Sequence, residues 1–496
     1  MTLCKIKKTA YIGVQVGAIA KILDFFEKGL IQMRSMFTVA VLLFAVSFLR
    51  VASAADNAVV PIDWNRFTIK FPNDANAELQ KAISKNTVKY ALTTWYTEMY
   101  GAQLAGNRYL DIFNVSNTKF KYGQMEFRVR SPAMQAYGIA TAIKLGLYDA
   151  EYTGVSEQAA LEICNKLVRS IAYGHKVNKD GGWGNDGESQ WQGGYWAAIA
   201  GQAGWLTWEL HDDHDKENIR KMVEWEANRL MNYAVPYYMK KDGTIVTPGD
   251  SKAEENAWNS NVLFLGCAMM PNHENYDKWY KKAVEYVISA YSHPQDVSSD
   301  TIVSGKPLKE WLNGSNVEDN YAVINHNRIH PDYMYCVVVN LWNASFLTLG
   351  GKPTPEGAFF NADKIYRSIV EWNYPSPPYA APGGTIYQPD NYEFYFPQGT
   401  SWGTRRYATH GAFSVAVHAY GLDKELTRNG VYWANLHLRQ ALELQNRFDD
   451  GRMFADGELP YMSPEAVITH ETAIALWATW AALQPDFKIT KDAPKE

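Results

Sequence analysis

Alanine-rich, strongly apolar segments return along this chain about every 60 to 75 residues, with a more charged segment between successive ones. "AMQAYGIATAIKLGLYDAE", "GGYWAAIAGQAGWLTWELHD", "NVLFLGCAMM", "YMYCVVVNLWNASFLTLGG", "GAFSVAVHAYGLD" and "ETAIALWATWAALQPD" read as helices buried on most faces, several ending at Gly or Pro stops. "EQAALEICNKLVRSIAYG", "DKENIRKMVEWEANRLMNYAV", "NYDKWYKKAVEYVISAYS" and "NADKIYRSIVEWNY" carry one apolar stripe each and read as their outer covers. Alternation of this kind predicts an all-α fold, a single α/α toroid of about six to seven helical hairpins, complete or incomplete as a ring. Helical patterning continues to about Pro485, so no β-sandwich domain is expected.

The N-terminus reads as an address. From Met33, "MRSMFTVAVLLFAVSFLRVASAAD" joins a basic residue, an apolar run of about a dozen residues and a small-residue "ASA" site, the pattern of a secretory signal peptide. Residues 1–54 are therefore expected to be a leader with its true start near Met33, and 55–496 a catalytic domain exported to the periplasm or beyond the cell. No later apolar run reaches the roughly 18 residues of a membrane span. Cys164, Cys267 and Cys336 each lie in an apolar segment and read as buried thiols. CxxC and HExxH are both missing, so neither a metal nor another cofactor is expected. A net charge of -5 without any long Lys/Arg block gives no case for nucleic acid. Oligomeric state is not legible.

Tyr, Trp, Asn and His crowd the long loops that lead from an outer segment into the next buried one, which opens all of these loops on one face. With 17 Trp and 31 Tyr, the aromatic content serves either a Trp-rich core or a cleft that stacks on sugar rings. In "GGWGNDGESQWQGGYW", Trp183 and Trp191 are candidates for stacking, and Asn185 and Gln192 for hydrogen bonds to hydroxyls. In "SKAEENAWNSNVLF", Asn256 and Asn259 share a helical face. In "NHNRIHPDYMY", His326, Arg328 and His330 stand just before a helix that Pro331 opens, with Tyr333 and Tyr335 in its first turns.

An amide, an imidazole, a guanidinium and a phenol together suit β-elimination from a uronic acid. The proton beside a carboxylate is very weakly acidic until hydrogen bonds or a cation spread the carboxylate's charge, which Asn or Arg can do. A base must then take that proton and an acid must protonate the leaving oxygen, and His and Tyr suit both tasks. Paired carboxylates are the competing solution of glycosidases, for which Asp186 with Glu188, Glu254 with Glu255, Asp390 with Glu393 and Asp456 with Glu458 are available.

The segments "EENAWNSN", "INHNRIHPDYMY" and "GTSWGTRRYATHG" resemble those of toroid-fold polysaccharide lyases. His326 and Tyr335 are nine positions apart, like the catalytic pair of chondroitin AC and hyaluronate lyases; Arg328 and Tyr335 are seven apart, like an Arg/Tyr pair in toroid alginate lyases. No large C-terminal β-domain like those of the former is expected, the adjacent Asn-His pair of the latter is not found, and the resemblance is greatest to small single-domain lyases acting on alginate or glucuronan. That resemblance implies cleavage of polymannuronate first and glucuronan second. It gives Asn256 the neutralising role with Asn259 beside it, His326 and Tyr335 the proton transfers with Tyr333 as substitute, and Arg328 a place beside them. Arg405, Arg406, His410 and His330 would contact neighbouring uronates. A toroid glycoside hydrolase and a non-catalytic glycan-binding protein remain the other two readings.

Overall fold

A computed structural model of the chain describes residues 58–103, 106–115, 125–184, 189–400, 402–459 and 463–495. The leader, Asn185, Asp186 and Glu188 lie outside the described residues. Contacts divide the chain into two compact units, Met1–Ala58 with Asn272–Glu274, and Val59–Pro271 with Asn275–Glu496. All the helices that follow belong to the second.

The second unit is mostly helical. Its longer helices are α1 (Ala75–Tyr90), α2 (Met125–Lys144), α3 (Glu157–Tyr173), α4 (Ser189–Leu206), α5 (Asp213–Met231), α6 (Ala253–Met269), α7 (Tyr276–Ala290), α8 (Val337–Leu349), α9 (Ala362–Val370), α10 (Tyr407–Ala419), α11 (Gly430–Gln445) and α12 (Pro464–Leu483). The even-numbered ones are the apolar segments of the sequence. From Val337 to Leu349 every residue of α8 is buried, whereas α3, α5 and α7 bury one side.

Helix neighbours follow a cyclic order. α2 packs on α4, α4 on α6, α6 on α8, α8 on α10 and α12, α10 on α12, and α12 returns to α2. The odd-numbered helices cover them: α3 lies on α2 and α4, α5 on α4 and α6, α7 on α6, α9 on α8 and α10, α11 on α10 and α1, and α1 on α12 and α2. Asp74, Ser156, Asp212 and Asn429 accept hydrogen bonds from the first-turn N–H groups of α1, α3, α5 and α11, satisfying donors that would otherwise need water. By contrast, α8, α10 and α12 start without such a cap, α10 and α12 out of long loops and α8 out of a short helix, while at α6 the Ser251 hydroxyl accepts from the Ala253 N–H. Strands occur among the described residues only in two-stranded pieces.

Side chains from four even-numbered helices meet around Trp342 of α8. Its ring lies edge-on to Tyr137 of α2 at 5.3 Å, to His470 of α12 at 5.0 Å and to Tyr195 of α4 at 6.4 Å, and its indole N–H donates to the Tyr137 hydroxyl at 2.8 Å. Trp342→Ala should therefore lower stability by about 3–5 kcal/mol, read as a shift of the denaturant midpoint at unchanged slope. Amides tie the same layer together: Asn261 donates to Asn343 Oδ1 at 2.8 Å, and Asn343 to Ser260 Oγ at 2.9 Å. Asn343 is fully buried, so its Asn-x-Ser sequence is no glycosylation acceptor in the folded chain. Cys164, Cys267 and Cys336 are buried free thiols, as their apolar contexts predict. No described helix is long and apolar enough to cross a membrane.

Candidate active site

The stretch "INHNRI" folds as a tight hairpin, Ile324–Asn325 against Arg328–Ile329, with His326 and Asn327 at its tip. Both tip residues have positive φ, 51° and 61°, as a two-residue turn of this hand requires; Asn accepts that conformation readily and His less so. Gly249 lets the tip seat closely, because a side chain there would collide with Asn327. Asn325 fixes the turn through its Oδ1, which accepts from the His326 N–H at 2.8 Å. A five-residue helix, Pro331–Tyr335, then leads through Cys336 into α8.

This hairpin delivers His326 to Tyr333. Nε2 of the exposed His326 lies 3.0 Å from the Tyr333 hydroxyl, and Tyr333 lines a cavity. Trp402 closes the group, its ring centroid 5.8 Å from His326, 6.0 Å from Tyr333 and 4.6 Å from His330. The remaining wall comes from the N-terminal halves of even-numbered helices and the loops before them: Arg130 and Met134 of α2, Tyr195 of α4, Glu254 and Trp258 of α6, Tyr335 before α8, Arg406 before α10, and Val467 and Glu471 of α12.

Three carboxyl groups and two guanidinium groups share this wall, in different states. Arg406 pairs with Glu471 at 2.6 Å and stands 3.5 Å from Asp332, while Thr409 also donates to Glu471. Although burial works to raise it, Asp332 is held below the usual carboxylate range by Arg406 and His410. Gly403, with φ of 86°, leaves room for that carboxylate; a side chain there would strike Asp332 Oδ2. Burial pushes Glu471 up to about 7 against the pull of Arg406 and Thr409. Glu254 goes further, to about 8, because burial outweighs Arg130 and the neighbouring acids Glu255 and Glu126 add to it. Near neutral pH Glu254 is therefore a carboxylic acid, able to donate a hydrogen bond into the cavity. His330 is fully buried, burial lowers it to about 4 so that its ring is neutral, and neither ring nitrogen has a hydrogen-bond partner among the described residues. Burial, then Glu471, keeps Tyr335 well above the ordinary phenol range, so it stays protonated.

The structure gathers part of the expected set. Tyr333, Tyr335 and Arg406 line the cavity, and His326 and His330 join through Tyr333 and Trp402. Arg328 shares the hairpin and donates from Nε to the His326 carbonyl at 3.2 Å. His410 lies behind the wall as a support, with Nε2 3.5 Å from Asp332 and Nδ1 2.8 Å from the Tyr387 hydroxyl. Trp191 is exposed and stacks on Trp258, which also stacks on Tyr195 at 4.7 Å and nearly parallel, so an aromatic stack leads from the surface to the cavity.

Other expected members lie elsewhere. Asn256 donates its amide to the Pro236 carbonyl at 2.9 Å and to Ser289 of α7 at 3.1 Å, a packing contact with an outer helix. Asn259, almost fully buried, is also absent from the cavity wall, and Glu254 takes the place at the start of α6. Trp183 is core: it is 1% exposed and donates to the Ile171 carbonyl. Gln192 is buried, accepting from Arg130 and Trp196, each at 3.3 Å. Arg405 forms an exposed ion pair with Glu458 at 2.8 Å. Arg130 and Glu471 carry no distinguishing sequence signal: Arg130 follows Glu126 and Arg128 in the first turns of α2 and pairs with Glu126, and Glu471 follows Glu465 and His470 in α12. Compared with protein families, with curated proteins and with solved structures, the chain finds no match.

Proposed function

We propose that this chain is an exported polysaccharide lyase that cleaves a uronic-acid-containing polymer by β-elimination, and that its even-numbered helices form the inner ring of an α/α toroid of six hairpins. The cyclic order of helix neighbours supports the ring. The signal-peptide pattern from Met33 supports export. The observation that carries the chemistry is the 3.0 Å contact between His326 and Tyr333 at the mouth of a cavity that also holds two arginines and a protonated carboxyl.

In this mechanism the uronate carboxylate enters near Arg130, Arg406 and Glu254. The Glu254 acid donates a hydrogen bond to it, as Asn256 was expected to do, and the first turns of the surrounding helices add favourable potential. The Tyr333 oxygen takes the C5 proton while passing its own to His326 Nε2, in the tautomer with hydrogen on Nδ1. The C5 electron pair forms the C4–C5 double bond as the C4–O bond breaks, and a phenol, Tyr333 or Tyr335, protonates the leaving oxygen. Trp402, Trp258 and Trp191 supply flat faces for sugar rings. No metal or cofactor is needed for any of these steps.

A second reading has an observation in its favour: Glu254 and Glu471, both raised toward neutrality, line the same cavity, as an acid/base pair of a hydrolase would. One assay separates the two. Incubation with polymannuronate, glucuronan, chondroitin and hyaluronan should raise absorbance near 235 nm with at least one of them; reducing ends without absorbance establish the hydrolase, and neither signal with binding retained leaves a glycan-binding protein.

A further inference from the structure

A second, larger and more open pocket is lined by the Ile324–Ile329 hairpin. Its walls are Ile324, Asn327 and Ile329 of the hairpin, Trp372, Tyr379 and Gln398 from the loop before α10, and Glu318, Asp319 and Asn320 from the loop before α8, with Tyr238 and Gly249. The two tip residues divide between the cavities: His326 bonds to Tyr333 of the first, and Asn327 lines the second. Gln398 joins them, its Oε1 accepting from the Ile329 N–H at 2.6 Å, a few residues before Trp402.

The inventories of the two walls differ in their cations. The first holds Arg130 and Arg406, paired with Glu126 and with Asp332 and Glu471, beside Glu254; among the described residues, no Lys or Arg lines the second, whose ionisable groups are two carboxyls and two phenols. Asp319 is exposed, and burial lifts Glu318 above the usual carboxylate range while the Tyr238 hydroxyl opposes this. Asp250, next in the chain to Gly249, pairs with Lys252 at 2.6 Å and accepts from Asn325, so that lysine is spoken for. The indole of Trp372 is 48% exposed, far more than an aromatic ring retained for packing, and the side-chain amides of Asn320, Asn327 and Gln398 offer both donors and acceptors. A flat apolar face with amides around it suits a pyranose ring; carboxylates without a cation repel an acidic one.

We propose that this second cavity is a saccharide subsite for a ring bearing no acid group, adjacent to the uronate in the first cavity. The substrate is then a polymer in which uronate alternates with an uncharged sugar, in place of a homopolyuronate such as polymannuronate or glucuronan. This inference rests on the lyase reading for the position of the uronate, but its test reads binding and so stands apart from turnover.

Binding is measured by calorimetry on the Tyr333→Phe chain, so that oligosaccharides survive the titration, at fixed ionic strength. The probes are a hyaluronan hexasaccharide, alternating glucuronate with N-acetylglucosamine, and a glucuronan hexasaccharide. The alternating probe should bind about tenfold more tightly, and adding Trp372→Ala should weaken it by about tenfold. Adding Asp319→Lys instead should improve the homopolymer probe selectively and narrow the gap. Equal or reversed affinities, an unaltered Trp372→Ala chain, or no binding of either probe overturns the proposal. Absence of a 235 nm signal from the unmodified chain, with the binding pattern intact, removes the lyase reading and leaves the subsite standing.

Discussion

Tyr333→Phe is expected to lower β-elimination by about 10²–10⁴-fold, with little change in KM and an unchanged thermal midpoint. Tyr333 is singled out over Tyr335 by contact. Its hydroxyl lies 3.0 Å from His326 Nε2, which can receive a proton, whereas the Tyr335 hydroxyl has no hydrogen-bond partner among the described residues and is kept protonated by burial. Tyr335→Phe should accordingly retain more than about a tenth of the rate, since it removes at most one donor to the leaving oxygen. His326→Ala should fall with Tyr333→Phe, and the double variant should be no worse than either single one, as expected of groups acting as one unit. Equal losses from the two tyrosine variants would falsify the assignment to Tyr333.

Glu254 gives the second large effect, and pH separates its possible roles. If the neutral acid binds the uronate carboxylate, activity falls as pH rises through about 8, where Glu254 loses its proton. Glu254→Gln, which stays neutral and keeps a donor, should retain activity within about tenfold and lose that alkaline limb, whereas Glu254→Ala should lose about 10²–10³-fold. A hydrolase that uses Glu254 as general acid behaves oppositely, with Glu254→Gln as inactive as Ala. The same group leaves a mark on stability. In the fold its carboxyl holds a proton up to about 8, and in the unfolded chain it releases it near 4.5, so the unfolded state binds fewer protons between these values. Stability from this group is complete below about 4.5 and is lost as pH rises through about 8. Thermal midpoints of the unmodified chain should decline across that window relative to those of Glu254→Gln.

Much of the architecture is legible in the sequence because helix burial writes a local pattern. A segment such as "CVVVNLWNASFLTL" is apolar on every face, and only a helix surrounded by others can accept that. Long loops before the buried helices likewise indicate at which end of them a cleft opens, and the cavity wall does draw on their N-terminal halves. The site is harder to read. Asn256 and Glu254 are two positions apart on one helix, and the sequence favours the amide; packing decides otherwise, since a rotation of about 200° between them turns one toward α7 and the other to the cavity. Trp183 and Trp191 look equivalent in their loop, yet one plugs the core and the other stacks at the surface.

The alternation of buried and half-buried helices, the buried thiols and the crowding of His, Arg and Tyr into residues 325–335 follow from the sequence alone, because each depends on neighbours along the chain. Tertiary structure alone decides that a two-residue hairpin turn carries His326 to Tyr333, that Arg406 is shared between Asp332 and Glu471, and that Glu254 is buried enough to keep its proton. These depend on distances between residues far apart in sequence and on how much water is excluded around a charge, and neither quantity has a local signature.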